Sequence, residues 1–159
     1  MTTHPDHFRR RDAAVGGEHY FETAIRNASP ARLRLMLIER AIEVSGRLAE
    51  VWRSGESPGA NEHSLKLLDL LSELLCGVVG GKSDSENAVC LKVADLYVFL
   101  TQHLVAAESS SDAGSIDEIK IVLEAEAETW RAVCAQEKPS PPKAPSSSIS
   151  SSGGLSFEA

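Results

Sequence analysis

With 159 residues the chain falls within the usual size of one domain, and a bundle of about 110 residues is enough to bury a self-sufficient core. Aromatic residues are scarce and small or branched aliphatics dominate, a balance that suits helix packing better than a sheet-based core. A net charge of -7 opposes the counterion-release binding that brings most proteins to DNA or RNA, so nucleic acid is not an expected partner.

The first 19 residues are polar, and their Arg9-Arg10-Arg11 run reads as a solubility feature. They contain no apolar h-region, so no secretory signal is indicated, and no apolar run approaches the ~20 residues of a membrane span. Cys76, Cys90 and Cys134 form an odd set without a C-x-x-C pair. Neither a disulfide framework nor a thiol zinc site is therefore expected, and the reading is a cytoplasmic protein.

Ser29-Pro30 supplies an N-cap followed by proline at the first helical position, and Gly55 stands just past the far end, which predicts a helix over about 30–53. Ser57-Pro58 or Asn61 opens a second, over about 60–79, stopped by Gly77, Gly80 and Gly81. Ser83-Asp-Ser-Glu86 is a capping-box sequence and predicts a third helix over about 84–108. Ser115-Ile-Asp-Glu118 repeats the device for a fourth over about 115–137, with Pro139 beyond it. The connections are short, so the expected fold is all-α, an antiparallel up-and-down four-helix bundle. Its expected extent is 20–137, between a disordered leader, 1–19, and a disordered Pro/Ser/Gly-rich tail, 138–159, that carries Leu155 and Phe157.

The apolar arcs are wide. On the first helix the stripe set by Leu33, Leu37, Ala41 and Val44 continues through Ile38, Ile42 and Leu35 to about 200°, against the ~100° or somewhat more of a core-facing stripe, broken by Arg34 and Ser45. The second is similar, because Leu67, Leu70 and Leu74 extend the arc of Leu68, Leu71 and Leu75. The third carries a second stripe, Leu91, Val98 and Val105, separated from Val93, Leu96, Leu100 and Leu104 by Cys90 and Thr101. Such width fits helices with two neighbours each, and it equally fits an exposed groove for a partner; periodicity leaves both open.

Chemistry-bearing patterns are missing from the sequence. The five histidines are scattered, no Glu-x-x-His pair or H-x-x-x-H occurs, and there is no phosphate loop, dinucleotide fingerprint or G-x-S-x-G elbow. His103 falls at the edge of an apolar stripe, as a boundary histidine does. The expectation is a non-enzymatic protein without metal or cofactor.

Tyr20, Ile25, the Ala28-Ser29-Pro30 cap and the Leu33-x-x-Met36-Leu37 helix opening recur at this spacing in the flagellar secretion chaperone family FliS, which the chain resembles over about 20–136. The run Ala94-Asp95-Leu96-Tyr97 to Leu104-Val105 is similar to that family's third helix, and Glu128-Thr129-Trp130 to its last. Ile38 stands where the family usually has an aromatic, Arg40 where it often has glycine, and a long Ser/Pro tail is not a family hallmark. The resemblance implies a cytoplasmic export chaperone that binds the disordered C-terminal segment of flagellin, blocks premature polymerisation and keeps the subunit export-competent. It implies that Tyr20 and Ile25 act as a detachable lid, their other reading being a hydrophobic staple. It also leaves room for an export-gate component as a second partner. On this view Leu35, Ile38, Ile42, Leu67, Leu70, Leu74, Leu91 and Val98 are the candidate client surface, on a monomer or weak homodimer. The alternative is a structural protein or adaptor acting through self-association.

Overall fold

The computed structural model describes residue 23 and residues 25–138; Tyr20, the leader and the tail beyond Lys138 lie outside them. After a short helical turn at 25–27, four long helices follow among the described residues: α1 (Pro30–Ser54), α2 (Glu62–Cys76), α3 (Asp84–Glu108) and α4 (Ala113–Gln136).

Local chemistry sets most of the ends. The Arg32 amide donates to Ser29 Oγ at 3.2 Å, Pro30 occupies the first turn, where its missing N–H costs nothing, and α1 stops at Gly55 with φ 72. That left-handed conformation is one a side chain would strain. For α2 the cap is Asn61, whose Oδ1 accepts from the His63 and Ser64 amides while Ser64 Oγ accepts from the Asn61 amide, a reciprocal capping box. The helix ends at Cys76, three residues short of the predicted 79. The Gly77 amide bonds back to the Glu73 carbonyl, and Val78 turns out of the helix and packs against the core instead.

Two caps differ from the sequence reading in detail. Ser83 caps α3 as predicted, accepting from the Glu86 amide, but the Glu86 carboxylate accepts from the Lys82 amide, one residue before the cap. In α4 the cap is Asp112, not Ser115: the Gly114 amide and the Ser115 hydroxyl both donate to the Asp112 carboxylate, and the helix begins two residues early. A carboxylate accepts more strongly than a hydroxyl, so Ser115 becomes the donor. The Ser115 hydroxyl bond, with the Gly114 amide, holds the Asp112 carboxyl below the usual carboxylate range.

α1 packs on α2 and α4, and α3 packs on the same two helices. Ser29 meets Glu137, Glu39 meets Arg131 and Arg53 meets Asp117, so residue numbers rise along α1 as they fall along α4. The broad arc of α1 is spent on its two neighbours: Leu35, Ile38, Ala41, Val44, Leu48 and Trp52 are all buried. Ser45 does not interrupt this core, because its hydroxyl donates to the Ala41 carbonyl at 2.8 Å. At one end the Trp52 indole donates to the Gly59 carbonyl and the Gly59 amide donates to Ser111 Oγ, which ties the α1–α2 connection to the α3–α4 connection.

Candidate partner-binding surface

Burial sorts the candidate residues. Leu35, Ile38, Leu67, Leu70 and Leu74 are between 0% and 5% exposed, so the expectation that they form an outward surface is corrected: they are core, with Leu74 also reaching the floor of a groove described below. α1 and α2 each have two helical neighbours, and that is what their width serves. Ile42 is half-buried at the core's margin. Ile25 is 39% exposed in the turn before α1, while Leu91 and Val98, at 67% and 40%, stand out on α3.

The second stripe of α3 thus becomes the main exposed apolar feature. Leu91, Val98 and Val105 recur at seven-residue steps, which on an α-helix places them on one side at intervals of about 10.5 Å. The buried residues of the helix, Tyr97, Leu100, Leu104 and Ala107, lie on the opposite side. Phe99, 54% exposed, widens the outer face and stacks on the His103 ring at a centroid distance of 5.5 Å. Taken whole, α3 is long and apolar enough to cross a membrane by length and composition. Lys92 and Asp95 interrupt it, and its inner side contributes to the core.

A groove of about 740 Å³ opens where α1 begins and α4 ends. Ala31, Leu33 and Leu37 of α1 form one wall, and Val89, Cys90 and Val93 of α3 the other. Leu74 and Gly77 at the end of α2, with Val78 and Val79, complete the apolar lining beside Trp130 of α4. Val79, expected within a helix, is 77% exposed in the connection, and Val89 is 60% exposed although it shares a side of α3 with the core residues.

Arg34 lies in this apolar setting. Its guanidinium carbon is 5.1 Å from the Tyr97 ring centroid and 5.1 Å from that of Trp130, and Nη1 donates to the Leu74 carbonyl at 3.1 Å. Nε and Nη2 are buried without an acceptor, a costly arrangement for a charged donor. The sequence offered only a break in the stripe of α1. Its ring partners come from α3 and α4, and no local pattern announces them.

Tyr97 donates its hydroxyl to Glu126 at 3.2 Å. Burial, reinforced by the Glu126 charge and opposed by Arg34, pushes the phenol from 10.0 up to about 12. A pKa raised by folding means the native state holds a proton that the unfolded chain has already released. The stability from this group is complete below pH 10 and is lost as pH rises through about 12. Denaturation midpoints compared at about pH 9 and about pH 11.5 should fall for the wild-type chain and fall less for Tyr97→Phe.

His103 Nε2 contacts Glu118 Oε2 at 2.8 Å, a single surface pair. Among the described residues no three His, Cys, Asp or Glu side chains gather where a metal could be held. Cys76 is exposed, and Cys90 is half-buried with its thiol donating to the Val79 carbonyl.

The described residues thus form an all-helical core with an apolar stripe and an apolar groove beside it. The family model described as Flagellar protein FliS matches residues 14–137, and the chain belongs to that family of flagellar export chaperones. No curated protein matches the sequence.

Proposed function

We propose that this chain is a cytoplasmic, non-enzymatic chaperone that binds the disordered C-terminal segment of flagellin on the outer face of α3 and in the adjoining groove. The observation that carries the reading is the exposure of Leu91, Val98, Phe99 and Val105 together on one helix, where Leu65 on α2 and Ile121 on α4 are exposed singly. An apolar stripe of this kind, with Asp95 and Gln102 between it and Phe99, suits an amphipathic client segment that folds on binding. The client's apolar side chains replace water there, which keeps the segment from polymerising and leaves the subunit competent for export. The scaffold we propose for this is an antiparallel up-and-down four-helix bundle, a reading supported by the end-to-end contacts of α1 with α4 and the shared tie at Gly59 and Ser111. Tyr20 and Ile25 act on this view as a detachable cover near the start of α1, and an export-gate component is a second partner.

A second reading draws on the seven-residue spacing of Leu91, Val98 and Val105, which also fits helix-to-helix self-association. Light scattering separates them. The chaperone reading expects a monomer that takes up flagellin one to one and suppresses its polymerisation. A stable dimer that leaves polymerisation unaffected supports self-association instead.

A further inference from the structure

We infer that the groove around Arg34 also receives a segment of this same chain, Leu155 to Glu158, with Leu155 and Phe157 in the apolar lining and the Glu158 carboxylate on Arg34. The inference rests on the reading of the groove as a peptide-binding surface and concerns its regulation.

The groove asks for two things together. Its walls, from Leu33 and Leu37 across to Val89 and Val93, are apolar apart from the exposed Glu73 on α2, while Arg34 brings two N–H donors withdrawn from water with nothing to accept them. Nε and Nη2 form one edge of the guanidinium, the side-on fork that matches a carboxylate bidentately. The rings of Tyr97 and Trp130 hold the plane, so little freedom is lost when an acceptor arrives.

The chain beyond Lys138 supplies both. Between residues 139 and 159 the one carboxylate side chain is that of Glu158, and it directly follows Leu155-Ser156-Phe157, which places two of the tail's three large apolar side chains at i and i+2, the third being Ile149. In an extended segment those two fall on one side and Glu158 on the other, so the apolar pair and the carboxylate meet different walls of the groove.

Reach also fits. α4 ends beside the groove: Glu137 accepts from the Ser29 hydroxyl at 2.6 Å, and Trp130, which lines the groove, precedes Glu137 by about 10 Å of helix. The 18 residues from Glu137 to Leu155 are mostly Ser, Pro and Gly, and a linker of that length spans on average roughly 23 Å by the coil relation for Gly/Ser-rich sequences. A linker whose mean span is about twice the distance it must bridge reaches the groove without strain and gives a tethered segment an effective concentration on the order of millimolar. Even a weak motif then occupies the groove until a client of higher affinity displaces it.

The test uses nitrogen–proton correlation spectra of the whole chain and of the chain ending at Lys138, whose helices are complete. Removing residues 139–159 should shift the Trp130 indole and Arg34 Nε–H signals and leave the Trp52 indole, at the other end of α1, in place. A synthetic peptide of residues 139–159 added to the shortened chain should restore the original positions. The same peptide carrying Glu158→Gln should bind about tenfold more weakly or worse. Superimposable spectra for the two chains, or equal binding of the parent peptide and its Glu158→Gln version, would overturn the proposal. So would a Trp130 shift on removing residues 1–22 but not on removing the tail, since the leader would then be the occupant. Flagellin binding by the shortened chain is read separately: its absence, with tail capture intact, counts against the client and not against the tail.

Discussion

Ile38→Ala should lower the free energy of unfolding by about 2–5 kcal/mol, the range for emptying a buried aliphatic site. Ile38 is completely buried in α1, within a core to which all four helices contribute. Truncation removes three carbons' worth of contacts, and the surrounding helices relax only in part, so a cavity remains. Against the 5–15 kcal/mol typical of a whole domain this is a large fraction. Chemical denaturation reads it as a lower midpoint with unchanged steepness. Leu91→Ser should move the same midpoint by no more than about 0.5 kcal/mol, because its side chain is 67% exposed and leaves no cavity. Two leucine-class positions that look alike in the sequence are thereby separated into one that holds the fold and one that does not.

The reverse pattern is expected for binding. Leu91→Glu combined with Val98→Glu should weaken capture of the flagellin C-terminal segment about 100-fold or more while the helical spectrum and midpoint stay close to wild type. Both residues sit on the outer side of α3, where added carboxylates are solvated in the free protein. In the complex they would have to be buried against apolar client side chains, and each loss of a centrally placed apolar anchor costs about 2 kcal/mol even before the charge is counted. An unchanged affinity would mean that the client does not lie on this face. Titration calorimetry on the double variant and the parent, with folding checked on the same samples, makes the comparison.

The helices themselves were largely legible, because caps are local. Ser29-Pro30, Gly55, Asn61 and Ser83 each act through atoms within four residues, and their geometry follows directly from residue type. Where two local devices compete the reading slips, as at Asp112, whose carboxylate takes the role predicted for Ser115. The proposed binding face was legible only in part, for a reason of packing. Arc width reports how much of a helix is apolar, not which part has a neighbour, and α1 and α2 have neighbours on both sides of their arcs. Leu35, Ile38, Leu67, Leu70 and Leu74 were for that reason expected outside and are found inside. On α3 the two stripes were visible, with Leu91 and Val98 on the one that the structure leaves uncovered, but Phe99 was not picked out, since it lies off the seven-residue step. Arg34 was hardest of all. It reads as a polar break in an apolar helix, and only the approach of Tyr97 and Trp130 from two other helices makes it the polar centre of the groove.

Whether α3 and the groove hold a client is decided by one titration. Calorimetric titration of the folded, monomeric chain with a peptide of a flagellin's disordered C-terminal segment should give saturable one-to-one binding. The heat capacity change should be negative, as burial of apolar surface requires. A flat titration against protein shown in the same cell to be folded and monomeric would contradict the proposed binding.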